Sequence, residues 1–222
     1  MTKLYAIILA GGKGVRMNNI IPKQFLPLHG RPVLMHTIEK FASIPNLGIN
    51  IIVVLPKDQK EQWDNLCKKH DFNIPHSIVE GGSERFYSVK NALETIKDNA
   101  LVAIHDGVRP LVSEDLIIRS YKAAQETGSS VPATTITESI RKRKTNRSLA
   151  VSRDKYFIVQ TPQTFSSDLI KTAYQQRYTD DFTDDATVYE SMGHIITLIK
   201  GEEQNIKITS KIDLIIAEAL LK

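Results

Sequence analysis

Two rhythms of apolar and polar positions alternate along this chain. The run from Tyr5 to Ala10 is almost continuously apolar, and so is Ile49 to Leu55. Strands covered on both faces read this way. Leu101 to His105 repeats the pattern, and Ser130 to Thr135 shows it more weakly. Between these runs the period lengthens to that of a helix. Arg31 to Ser43 carries Leu34, Ile38 and Phe41 on one face, with Pro32 at its first position. Asp58 to His70 and Ser83 to Ile96 follow, then Ser113 to Thr127 with Ser113 as its cap. Ser210 to Leu221 closes the sequence, with Ser210 as cap and Asp213 in the first turn. Such alternation predicts an α/β fold, a mostly parallel sheet with helices on both faces.

Thr137 to Val159 breaks the rhythm. It is polar and basic, and strand-like only at its ends. We read 137–159 as an extended β-arm or hairpin inserted into a single domain spanning 1–222. A lone two-stranded ribbon is marginally stable, so an arm of this kind is expected to pack on another subunit.

Composition narrows the picture. The chain has 222 residues, 41% hydrophobic and 24% charged, which is ordinary for a globular protein and ample for one core. Cys67 is the lone cysteine, so no internal disulfide can form and a reducing compartment is expected. Lys3 and the apolar run behind it imitate a signal peptide, but Gly11-Gly12-Lys13 follows where small residues of a cleavage site belong. No apolar stretch has the length of a membrane span. We therefore expect a cytoplasmic protein without membrane contact. The net charge is +4. Its one dense basic cluster, Arg141-Lys142-Arg143-Lys144, lacks interleaved aromatics, so nucleic acid is not an expected partner. Small anionic substrates account for the charge equally well.

The chemistry concentrates where predicted strands end, the edge at which α/β sheets bind ligands. Ala10-Gly11-Gly12-Lys13-Gly14-Val15-Arg16-Met17 follows the first strand, and Pro22-Lys23-Gln24 comes soon after. Glycines let the backbone approach a ligand closely, with N–H groups available to phosphate oxygens. Arg16 and Lys23 add fixed cations, and the combination suits a nucleoside triphosphate. A Walker loop does not fit, because Gly14 follows Lys13 where Ser or Thr is required. A dinucleotide fingerprint fails at Met17, which stands where the third glycine belongs.

A second signal is His105-Asp106-Gly107-Val108-Arg109-Pro110. A carboxylate at a strand end can meet the divalent cation that accompanies nucleotide phosphates, and Arg109 can grip a phosphate. An Asp–Arg pair stiffening the loop is the simpler alternative, and His105 reads first as a packing residue. Gly81-Gly82-Ser83-Glu84-Arg85 with Ser88 is either a strand-to-helix turn capped by Ser83 or a backbone edge that reads a base. Thr161-Pro162-Gln163 and Phe182-Thr183-Asp184-Asp185-Ala186 are polar turns ahead of helices, and the aspartates suit a helix N-terminus. Asn205-Ile206-Lys207-Ile208-Thr209 places one cation in an expected short strand.

Taken in order, these motifs resemble those of the 2-C-methyl-D-erythritol 4-phosphate cytidylyltransferases of isoprenoid synthesis. The likeness runs from Ala6 to the C-terminus. It implies a Rossmann-like nucleotidyltransferase fold, a three-layer sandwich with a projecting β-arm that makes a homodimer. It implies attack of a polyol phosphate on the α-phosphorus of CTP, with Mg²⁺ or another divalent cation present. Arg16 and Lys23 would stabilise developing charge, while Arg153 and Lys207 would hold the attacking phosphate. Ala10, Gly11, Gly12 and Gly14 would wrap the nucleotide; Gly82 and Ser88 would select cytosine. Asp106 would sit near metal and substrate, and Arg109, Ser139, Thr161 and Thr183 would line the polyol-phosphate pocket. Ser139 and Arg153 lie on the arm, so they would enter the partner subunit's site.

The sequence departs from the family at several points. Ser139 stands where Thr is usual, Ser83 where Asp is common, and Ala10-Gly11-Gly12 where Ala-Ala-Gly is frequent. The glycine-rich variant also occurs in the sister family that makes CDP-ribitol from ribitol 5-phosphate, which is the second reading. Ser152-Arg153-Asp154 favours the first. A nucleotide-binding module without turnover is a third, and it would not need Lys23, Arg153 and Lys207 together.

Overall fold

The computed structural model describes residues 2–11, 21–45 and 47–221. Gly12, Gly14 and Arg16 of the glycine loop lie outside the described residues.

The first apolar run forms β1 (Lys3–Leu9) at the centre of a sheet. It pairs in parallel with β4 (Asn50–Leu55) on one side and β6 (Ala100–Asp106) on the other, and β5 (Ser77–Glu80) adds a further parallel edge to β4. Beyond β6 the direction reverses. There β11 (Gln163–Ser166) is antiparallel to both β6 and β7 (Ser129–Thr135), and β10 (Phe157–Val159) runs antiparallel to β7. A short strand, β12 (Leu198–Lys200), lies parallel to β7. The expected α/β class with a mostly parallel sheet is therefore observed.

The reason β1 is apolar throughout is visible in its two faces. Ala6 and Ile8 pack with α1 (Val33–Ala42), α2 (Lys60–Lys69) and α4 (Glu114–Thr127), around Leu34, Phe41, Trp63 and Leu116. Ile7 points the other way, toward α3 (Arg85–Thr95), α5 (Ser167–Ala173) and α6 (Asp185–Glu190), around Phe86, Val89 and Tyr174. Two cores on opposite faces of one sheet make the three layers. A smaller cluster under α7 (Lys211–Leu220) joins Leu28, Val33, Val108, Ile208 and Ala217.

The helix caps follow the sequence. Ser113 Oγ accepts the Leu116 N–H at 3.0 Å, and Gly128 ends that helix with φ 86°. Ser210 and Asp213 form a reciprocal capping box at the start of α7, and Asp184 with Thr187 does the same for α6. Other boundaries shift. Arg31 and Pro32 belong to a two-residue strand, β3 (Arg31–Pro32), paired with β2 (Pro27–Leu28), so α1 starts only at Val33. Ser83 is not a cap, because Glu84 occupies that position and its side chain makes no cap bond. Asn205–Thr209 is not a strand. Its one backbone–backbone bond to a distant stretch among the described residues is Ile208 N–H to Val108 O at 2.9 Å.

Within 137–159, β8 (Ile140–Arg143) and β9 (Ser148–Val151) pair only with each other. The hairpin is exposed almost throughout, and the chain then returns to the large sheet through β10. Replacing Ser210 with Ala removes one half of the α7 capping box. The expected cost is about 1 kcal/mol of unfolding free energy, measurable by denaturant titration, with the α/β circular dichroism signature retained.

Candidate active site

Parallel pairing brings three chain turns to one edge. Leu9 of β1 stands opposite Val54 of β4 and Asp106 of β6, and Leu55 stands opposite Glu80 of β5. Ladder bonds continue past the strand ends. Ala10 N–H donates to Val54 O, Gly81 N–H to Leu55 O and Gly107 N–H to Leu9 O, at 2.8–2.9 Å. Ala10 at the head of the glycine loop, the Gly81–Gly82 turn and the Asp106 loop are thus locked side by side. Between them opens a cleft of about 700 Å³, lined by Ala10, Gly11, Lys23, Gln24, Gly82, Ser88, Asp106 and Lys207 among others. Of the described candidates, these come together. Arg109, Ser139, Arg153, Thr161 and Thr183 are not part of its wall.

Two glycines are dictated by packing. A Cβ on Gly82 would lie 2.3 Å from Tyr87 Cβ, and one on Gly107 would lie 2.9 Å from Leu9 O. Gly82 donates its N–H to Ser88 Oγ at 3.0 Å, and that hydroxyl donates onward to Glu84 O at 3.1 Å. The two residues expected to read a base therefore bind each other first and fix the shape of the turn. Lys23 lies in a 3-10 turn, Lys23–Phe25, closed by the Phe25 N–H on Pro22 O. Gln24 Nε2 ties this turn to Gln59 Oε1 at 2.6 Å.

Asp106 is the electrostatic centre. Its Oδ2 accepts from Arg109 Nε at 3.1 Å and pairs with Lys207 Nζ at 3.0 Å. Burial by itself would raise the Asp106 pKa. Lys207, Arg109 and Arg85 overcome it and hold the carboxyl well below the usual carboxylate range. The aspartate stays ionised and anchors the cations. Among the described residues no group of three or more His, Cys, Asp or Glu is arranged to hold a metal unaided. The Arg109 and Lys207 contacts both fall on Oδ2 of Asp106, so an ion would be met through Oδ1. A Mg²⁺ that takes most of its ligands from water and phosphates fits a site with a single carboxylate.

His105 is fully buried behind this centre, edge-on to Phe41 at 5.0 Å. Thr161 Oγ1 accepts the Asp106 N–H at 3.1 Å, so its own proton goes to His105 Nδ1, also at 3.1 Å. That leaves the ring proton on Nε2, which donates to Arg109 O at 3.2 Å. Burial pushes the His105 pKa down to about 4 from 6.5, and the ring is neutral at ordinary pH. The Thr161 hydroxyl is engaged by the protein, whereas Thr183 is exposed on the turn before α6.

Sequence reasoning missed the function of Arg85 and Asp185 as a pair. The Arg85 guanidinium clasps the fully buried Asp185 carboxylate with both oxygens, at 2.8 and 2.5 Å, and the Tyr174 hydroxyl donates to the same carboxylate at 2.6 Å. Gln163 completes the belt, donating to Asp184 Oδ2 and accepting the Ala186 N–H. The Gly-Gly-x-Glu-Arg, Thr-Pro-Gln and Thr-Asp-Asp-Ala motifs are therefore bonded to one another. An Arg and an Asp at the ends of separate motifs were the available signal, one that only a pairing across 100 residues could complete.

Residues 4–222 match the family model for 2-C-methyl-D-erythritol 4-phosphate cytidylyltransferase. The chain belongs to that cytidylyltransferase family. It is similar to the 2-C-methyl-D-erythritol 4-phosphate cytidylyltransferase of Azobacteroides pseudotrichonymphae genomovar. CFP2, with 51% identity over 223 residues and 100% of each chain covered. It is 48% identical to the enzyme of the same name from Phocaeicola vulgatus, covering 98% of this chain and 99% of that one. Among solved structures it resembles the 4-diphosphocytidyl-2C-methyl-D-erythritol synthase of Anaerococcus prevotii DSM 20548. The TM-score is 0.82 at 28% identity, covering 99% of this chain and 96% of the other. In this cytidylyltransferase fold, no helix among the described residues is long and apolar enough to cross a membrane.

Two outcomes test the site. Gly82→Ala should disturb the turn against Tyr87, costing roughly 1–3 kcal/mol and weakening nucleotide binding, checked by calorimetric titration with CTP. His105 gives a pH signature. Its folded pKa lies below its unfolded one, so the unfolded chain binds the extra proton between them. Stability should be full above pH 6.5 and fall as pH drops toward 4. His105→Asn should flatten that slope in urea titrations across the range.

Proposed function

We propose that the cleft transfers the cytidylyl group of CTP to 2-C-methyl-D-erythritol 4-phosphate, releasing pyrophosphate. The observation that carries this reading is the placement of Asp106, with Lys207 and Arg109 on its carboxylate, in the same cleft as the Gly82–Ser88 turn and Lys23. One end offers backbone edges for a base, and the other gathers cations for phosphates.

A phosphate oxygen of the polyol attacks the α-phosphorus in line as the bond to the β-phosphate oxygen breaks. The electron pair leaves with pyrophosphate, and no covalent enzyme intermediate forms. Positioning and charge neutralisation then supply most of the acceleration. Lys23 lines the cleft and is assigned to the charge building on the α-phosphate and pyrophosphate, a role the family resemblance gives to Arg16 as well. Lys207 holds the attacking phosphate, restrained by its 3.0 Å contact with Asp106. Arg109 is held between Asp106 and Asn205 O, so its role is to shape the pocket from behind. Gly82 and Ser88 present a fixed turn to cytosine. Asp106 would hold a Mg²⁺, which when bound neutralises charge on the triphosphate.

Arg153 and Ser139 sit on the exposed hairpin, and neither lines the cleft of its own chain. The Arg153 guanidinium instead donates to Thr137 O within the arm. We assign both to the cleft of a second subunit. Support comes from four consecutive exposed apolar or aromatic residues, Tyr156 to Val159, at the return of the arm. A surface of that kind marks an interface. A cytoplasmic setting completes the reading and agrees with the lone Cys67, whose thiol burial pushes up to about 11.

The deciding assay is pyrophosphate release with CTP and Mg²⁺, comparing methylerythritol 4-phosphate with ribitol 5-phosphate. Release with the first alone is expected. Release with the second alone would move the chain to CDP-ribitol synthesis, and release with neither would revive a binding module. For the shared site, Lys207→Ala and Arg153→Ala proteins should each be nearly inactive. Mixing them should restore activity, because one hybrid cleft keeps both residues. No recovery after verified subunit exchange would assign Arg153 elsewhere.

A further inference from the structure

The segment that carries Lys207 has little regular structure to hold it. Residues 201–209 contain no strand: backbone bonds tie the segment to its surroundings at its two ends, Gly201 N–H to Ala133 O and Ile208 N–H to Val108 O, while Asn205 N–H to Glu202 O and Ile206 N–H to Gln204 O stay within it. Yet the Lys207 ammonium must sit within 3.0 Å of Asp106. Between those two ends the anchoring comes from two amide side chains.

Gln160 follows directly on β10, where the arm returns. Its Oε1 accepts the Glu202 N–H at 3.0 Å and its Nε2 donates to Glu202 O at 2.7 Å. One side chain thereby serves both backbone groups of Glu202, as a neighbouring strand would. Gly201 makes room for it, since a Cβ there would lie 2.6 Å from Gln160 Oε1. Asn205 is fully buried. Its Nδ2 donates to Thr161 O at 2.8 Å, while its own carbonyl accepts from Arg109 Nη1 at 2.7 Å. Arg109 in turn holds Asp106. A closed circuit results, running Lys207, Asp106, Arg109, Asn205 and back along two peptide units to Lys207. Asn205 Oδ1 finds no donor among the described residues. Burying an unpaired acceptor is unfavourable, so the value of the amide at this position lies in its donor.

We propose that Gln160 and Asn205 are positioning residues for Lys207, through which the return of the arm supports the polyol-phosphate subsite of its own chain. This rests on the reading of Lys207 given under the proposed function. Neither residue touches substrate in this proposal; both act through the ammonium and the Asp106–Arg109 pair.

The test uses Gln160→Met and Asn205→Leu, which keep volume and remove the amide bonds, in the full-length protein. Wild-type turnover is measured first; its absence with both polyol phosphates overturns the functional reading alone. With turnover present, each variant should lose roughly 10–100-fold in kcat/KM for methylerythritol 4-phosphate, the usual scale for a misplaced catalytic group. The KM for CTP should stay within about twofold, because the nucleotide turn is untouched. Amide hydrogen exchange at Ile206 and Ile208 should quicken in both variants, a readout that holds whether or not turnover is found. Unchanged exchange and kinetics would overturn the proposal. So would equal losses toward both substrates that track a fall in melting temperature. Failure of both variants to fold would assign the two amides to the fold itself and overturn it as well.

Discussion

Everything in this molecule depends on the parallel alignment of β1, β4 and β6. Parallel strands end together, so the turns that follow them must share one edge. Their side chains alternate between two covered faces, which is why both cores are needed before that edge can exist. The ladder bonds from Ala10, Gly81 and Gly107 carry this order one residue beyond the strands. The described wall of the cleft is accordingly built on strand ends, with Ala10, Gly81 and Gly107 held by ladder bonds.

A second layer of order is polar and buried. Arg85 with Asp185, Gln163 with Asp184, and Thr161 with His105 each join turns far apart in the chain. Single buried charges are costly, but a carboxylate taking both Arg85 donors and the Tyr174 hydroxyl is well satisfied. Such contacts specify which turn lies beside which. The motifs that looked independent along the sequence form one connected set in space.

Legibility in the sequence followed physical strength. Long apolar runs announced β1, β4 and β6, because burial on both faces leaves no room for polar residues. Ser113, Ser210 and Asp184 announced helix starts through local capping chemistry. Other elements were silent for equally physical reasons. Gln163 and Thr164 of β11 are polar yet buried: Asp184 and Ala186 satisfy the Gln163 amide and the sheet pairs the backbone of both, and no periodicity betrays that. Ser77–Glu80 is a short edge strand only half covered. The Asn205–Thr209 segment resembled a strand, but the Asn205 amide on Thr161 O and the Ile208 N–H on Val108 O hold it in place of a ladder. For the site, Ala10, Gly11, Lys23, Gly82, Ser88, Asp106 and Lys207 were readable from motif and strand end together. That the Ser88 and Thr161 hydroxyls serve the protein's own backbone and His105 was not, since hydrogen-bond partners are a property of the fold.

The neutral imidazole at the back of the cleft has one more consequence. His105 takes up its proton only near pH 4, and Asp106 is held ionised below the usual carboxylate range. Neither group changes charge as a cell's pH drifts around neutrality. The titrations that remain at the cleft in that range are those of the substrates, the second ionisation of the polyol phosphate and the last one of the triphosphate, near pH 6. Acidification would therefore be felt through the phosphates of the two substrates, while the charge on His105 and Asp106 stays constant.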